Sequence, residues 1–125
     1  MKTENKLIAE FMGLKPVKVF GRYSISKDHC MCNEETEEKA MSGFASIAKY
    51  SSSWDWLMPV INKIGLMYHN FGIVYEEGEQ HAFINCFKNG MWDRLIVRSI
   101  ETTVLENTYL VVVDFIEWYN ENKTT

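Results

Sequence analysis

The chain has 125 residues, a mass of 14.6 kDa and a composition that is 46% hydrophobic, 14% aromatic and 24% charged, which excludes a disordered polymer and predicts one globular core over 1–125. A net charge of -4 and a pI of 5.4 argue against a general nucleic-acid coat. The opening residues carry Lys2, Glu4, Lys6 and Glu10 among apolar ones, so no export signal is read there. The longest apolar run, Tyr109 to Val113, is far short of the roughly 20 residues that span a bilayer, so no membrane contact is expected. Three cysteines, Cys30, Cys32 and Cys86, are an odd number in a chain long enough to fold without them, which points to reduced thiols and a cytoplasmic location.

In chain order, Leu7, Ile8, Phe11 and Met12 form one helical stripe ending at Gly13, and predict a helix over 3–12. Residues 14–50 read as a variable strand and loop region. Val17, Val19 and Phe20 among Lys15, Lys18 and Arg22 suit one extended strand opened by Pro16, and the run Glu34 to Glu38 suits an exposed loop. Ser51, Ser52 and Ser53 precede a helix over 53–67, with Trp54, Leu57, Met58, Ile61 and Ile64 at helical spacing and Pro59 in its early turns. Between 71 and 98, apolar runs alternate with turn signals at Gly78 and Asn89-Gly90, the pattern of an antiparallel meander. Adjacent apolar pairs such as Phe83-Ile84 and Leu95-Ile96 predict that both faces of this sheet are at least partly covered. Thr103 and Glu106 have the spacing of a capping box, opening a helix over 103–122. The fold class is therefore α+β, a meander of three or four strands covered by helices, with an α/β/α sandwich as one version. Leu57, Ile61, Ile64, Leu105, Val112, Phe115 and Ile116 are expected to pack on Ile73, Ile84 and Val97.

Three blocks, Ile8 to Gly13, Ser53 to Ile61 and Phe115 to Asn120, resemble small phage, prophage and gut Bacteroidetes proteins. The Ile8-Ala9-Glu10-Phe11-Met12-Gly13 opening, the tryptophan-bearing helix, the meander and the final helix are also similar to the phage ABA sandwich domain. The three blocks cover 21 of the 125 residues, mostly packing positions, and the resemblance implies helix, sheet and helix layers and an accessory role in a phage or mobile element. It carries over no catalytic, cofactor or binding residue.

Chemistry is sparse in the residues themselves. His29, Cys30 and Cys32 form the densest cluster of reactive groups, but a lone C-x-C supplies half a zinc site unless His69, His81 or Cys86 folds beside it. A Cys–His nucleophile would need a base and an oxyanion site that no motif here announces. No catalytic residue, metal ligand set or cofactor is assigned, and an enzyme is not the favoured reading. A metal-binding or thiol-dependent protein centred on His29, Cys30 and Cys32 is the alternative. Lys15, Lys18, Arg22 and Lys27 form a basic stretch able to contact an anion, although residues 51–125 hold five basic and ten acidic residues, a net of -5, against nucleic acid. Trp54 and Trp56 are two apart on one helix and cannot both enter one core. Trp56, Trp118 and Tyr119 are the candidate contacts for a protein partner or a homodimer.

Overall fold

A computed structural model describes residues 2–19, 21–27, 30–31, 34–67, 69–76, 78–88, 90–99 and 103–122. The chain divides into two compact units, Met1–Lys49 and Tyr50–Thr125. The fold is α+β, with helices and antiparallel strands in separate stretches of sequence.

In the first unit, α1 (Lys2–Phe11) packs against α2 (Glu37–Ile47). Gly13, at φ 77°, turns the chain out of α1: its N–H donates to the carbonyl of Glu10, and the Leu14 N–H donates to that of Ala9. This paired arrangement satisfies two orphan carbonyls and needs a left-handed residue, which glycine supplies without a Cβ clash. Ile8, Ala9 and Phe11 from α1 and Ala40, Phe44 and Ala45 from α2 are buried. Asn5, itself 4% exposed, ties the helices together, because its Nδ2 donates to the carbonyls of Ala45 at 3.0 Å and Ala48 at 3.2 Å in the last turn of α2.

Two expectations for 14–50 are corrected here. The single strand is a hairpin of β1 (Val17–Val19) and β2 (Arg22–Ser24), with Gly21 at φ 79° in the turn. Two further short strands, β3 (Ser26–Lys27) and β4 (Cys30–Met31), pair with each other, and Tyr23 bridges to Glu34. The acidic stretch read as a loop runs into α2. Thr36 is its N-cap, accepting from the Lys39 N–H at 3.1 Å, and Glu37 and Glu38 occupy the first turn, where the helix dipole favours negative charge.

The second unit begins at Tyr50, whose ring meets that of Trp56 edge-on at 5.3 Å. Helix α3 (Trp54–Leu66) contains Pro59 at its sixth position, and Ser53 holds the N-cap position without a side-chain bond. The meander follows: β5 (His69–Glu76), β6 (Glu79–Lys88) and β7 (Met91–Ser99), in that spatial order. Glu76 pairs with Glu79 and Lys88 with Met91, so each hairpin turn has two residues. Helix α4 (Val104–Asn122) lies on β6 and β7, while α3 lies on β5 and touches α4. Thr103 caps α4 by accepting from the Glu106 N–H at 3.0 Å, as the capping-box spacing predicts. Asn107, 5% exposed, donates to the Ser99 carbonyl at 2.5 Å and fixes the start of α4 to the end of β7. Among the described residues no helix is long and apolar enough to cross a membrane.

Candidate functional site

Alternate residues of a strand point to opposite faces of its sheet, so the register divides the meander into two surfaces. One surface holds Ala82, Ile84 and, in adjacent strands, His69, Ile96 and Arg98. It meets α4: Ala82 and Ile84 are fully buried, His69 packs edge-on against Phe115 at 4.9 Å and Trp118 at 6.0 Å, and Arg98 forms two hydrogen bonds to Asp114, at 2.6 and 3.2 Å. The Asp114 pairing favours the charged guanidinium and raises the pKa of Arg98, with burial opposing it. Burial is the larger influence on His69 and lowers its pKa, against a hydrogen bond that the ring donates to the Asn85 backbone carbonyl.

The opposite surface is open. Phe87, Trp92 and Val97 lie on it at 48%, 48% and 50% exposure. Phe83 occupies its centre, opposite Gly72 on one side and Val97 on the other. The Phe83 ring lies across Gly72 so closely that a Cβ there would fall 2.6 Å from Cζ, which explains a glycine in the middle of β5. The Arg94 guanidinium sits 4.2 Å from the centroid of Phe83, a cation–π geometry. Between Ile84 and Asn85 the register shifts, so that Leu95 is the extra residue of β7 and Arg94 and Val97 share one face although three apart. Phe87 and Trp92, cross-strand partners, have ring centroids 5.1 Å apart. The expected core membership of Val97 is therefore corrected, and Ile73 is 41% exposed. Leu57, Ile61, Ile64, Val112, Phe115 and Ile116 are buried as expected, and Leu105 is half-buried.

At the other end of the open face, Ser99 Oγ donates to Glu79 Oε2 at 3.5 Å and lies 3.4 Å from His81 Nδ1. These are the residue types of a hydrolytic triad in the wrong connectivity. Glu79 and His81 both converge on the hydroxyl, whereas a relay needs the carboxylate on the far nitrogen of the imidazole. The distances also exceed those of good hydroxyl hydrogen bonds, and Glu79 and Ser99 are exposed while His81 is half-buried. The trio is polar surface.

The residues singled out from sequence fall in different places. Trp56 is 4% exposed and Trp54 39%, so the outward ring of the pair is Trp54, and the indole of Trp56 is committed to Tyr50. Trp118 and Tyr119 are half-buried at the end of α4, both packed on Phe115. The wide apolar stripe of α4 is taken inside, with Tyr109, Val111, Val112 and Val113 buried. Lys15, Lys18 and Arg22 are exposed on and before the β1–β2 hairpin, and Lys18 Nζ lies 5.8 Å from the centroid of Tyr23. Only the backbone of Lys27 is described, in β3. His29 and Cys32 lie outside the described residues, and Cys30 is described by its backbone alone. Cys86 is a free thiol, and among the described residues no three His, Cys, Asp or Glu side chains are grouped to hold a metal.

Sequence reasoning passed over Phe83, Phe87, Trp92 and Arg94. Their signal is periodic: Phe83 and Phe87 are four apart on one strand, hence on one face, and the two-residue turn at 89–90 sets Phe87 opposite Trp92. No family model, curated protein or solved structure matches the chain.

Proposed function

We propose that this chain is a small non-enzymatic binding protein whose working surface is the open face of the meander. The observation that carries the reading is a cluster of large apolar side chains left half-exposed on the face of the sheet opposite the one on which Ala82 and Ile84 are buried. Exposed apolar residues scattered singly need no explanation, but Phe87, Trp92 and Val97 share one face with Phe83 and Arg94, and clustered aromatic and arginine side chains are the usual anchors of protein contacts. An accessory role in a phage or mobile element, in the cytoplasm, belongs to the same proposal. It draws on the resemblance of Ile8 to Gly13, Ser53 to Ile61 and Phe115 to Asn120, and phage structural or packaging genes beside the coding sequence would support it where only housekeeping genes would count against it.

A photo-reactive amino acid placed at Trp92, in cells that make the protein, tests the surface. A discrete cross-linked product at position 92, absent when the probe replaces Leu66 on the outer side of α3, is the expected result; Leu66 is 84% exposed and serves as the control. Equal labelling from both positions would contradict the reading. The alternative, a metal or thiol protein centred on His29, Cys30 and Cys32, predicts stoichiometric metal in protein purified without chelator.

A further inference from the structure

The open face has two chemically different ends on either side of an apolar centre. Gly72, Phe83 and Val97 form the central row. One row toward the turn at 89–90 stands Arg94 opposite Asn85; one row toward the turn at 77–78 stands Ser99 opposite His81, with Glu79 beyond. Rows on one face are about 6.8 Å apart, so Arg94 and Ser99 are about equally far from the centre.

We infer that the occupant of this face is a second copy of the chain, stacked sheet to sheet about a two-fold axis that runs across the strands at the Phe83 row. The inference rests on the reading of this face as the binding surface. That operation exchanges the two ends. It sets each Arg94 over the other copy's Ser99 and Glu79, making two symmetric pairs of opposite charge, while the apolar row meets its own equivalent. Other occupants fit less well. A single-stranded nucleic acid could stack on Phe87 and Trp92, but residues 51–125 hold ten acidic against five basic residues and repel phosphate. An extended peptide pairing along the β7 edge would meet the charges of Asp93, Arg94 and Arg98 and the extra residue at Leu95, features that keep edges from pairing.

The size of the face sets the strength. Three strands of about nine residues offer a footprint of about 14 by 30 Å, or roughly 400 Å² per copy. The pair buries about 800 Å², below the roughly 1,200 Å² of stable complexes. Two copies of net charge -4 also repel. The dimer is therefore a weak, transient one, and its association is sought up to near-millimolar concentration.

Light scattering and sedimentation from about 10 μM to 1 mM test it, on the wild type and on Arg94→Glu, Glu79→Arg and Val97→Arg, with circular dichroism to show that each variant is folded. The expected mass rises from 14.6 kDa toward twice that value. Each single variant weakens association by about tenfold or more, and an equimolar mixture of Arg94→Glu with Glu79→Arg recovers it, because both cross pairs are restored in the mixed dimer. A wild type that stays at 14.6 kDa up to 1 mM overturns the second copy as occupant and leaves the face to the cross-linking test. A mixture that does not recover association overturns the two-fold arrangement. A dimer indifferent to all three substitutions forms through another surface, overturns the second copy as the occupant of this face, and likewise leaves the face to the cross-linking test.

Discussion

Along β6, Ala82 and Ile84 alternate with Phe83 and Phe87, and the two sets meet opposite conditions. The first pair is fully buried beneath α4; of the second, Phe87 is 48% exposed and Phe83 is capped by the guanidinium of Arg94. The larger side chains are on the wetter side. If hydrophobic burial alone placed residues, the aromatic rings, with the most area to remove from water, would face the helix. The difference teaches that contact with α4, not side-chain size, decides which residues of β6 are buried, and on the proposal above the open face keeps its area for a binding partner.

Substitutions that respect the division should separate cleanly. The largest effect is expected at Val112→Asp, which places a charge in the fully buried stripe of α4 and should cost more than about 3 kcal/mol in urea titration. Next is a matched pair: Ile84→Ala, under α4, should lose about 2–5 kcal/mol, and Val97→Ala, on the open face, less than about 1 kcal/mol. Similar losses from the two would erase the distinction between the faces.

A pH effect sharpens the α4 face. Burial lowers the pKa of His69, so as pH falls the unfolded chain takes up that proton before the folded one, and the stability contributed by the neutral ring is present above the unfolded value of about 6.5 and lost below it. Urea midpoints at pH 7 and pH 5 should therefore fall further for the wild type than for His69→Phe, whose ring still packs on Phe115 and Trp118. An identical fall in the two proteins would remove His69 from the account. The smallest effect is Gly72→Ala. Its Cβ would displace the Phe83 ring from 2.6 Å, but that ring lies on the open face and can swing away, so the expected cost is below about 1 kcal/mol.

Much of this was legible in the residues. Gly13 and Thr103 mark helix ends by backbone chemistry that acts locally, and the turns at 77–78 and 89–90 fix the meander and its register. Helix α2 was hidden because its first turn is all polar and its apolar stripe, Ala40, Met41, Phe44 and Ala45, is half alanine, so the charge run from Glu34 dominates; Thr36 before Glu37 and Glu38 was the missed cap signal. The open face was hidden for a different reason. Adjacent apolar residues say that both faces of a strand are apolar, and only tertiary packing decides which one is covered. The convergence of Phe83, Arg94 and Val97 depends further on the extra residue at Leu95, which shifts the register and has no sequence marker.

The open face is tested most directly by urea unfolding of the double variant Phe87→Ser with Trp92→Ser. Side chains held for a partner contribute little to the fold, so the account predicts a loss of no more than about 1.5 kcal/mol, the size of one half-exposed aromatic pair. A loss of about 3 kcal/mol or more, comparable to Val112→Asp, would show that Phe87 and Trp92 belong to the core and would contradict the assignment of this face to binding.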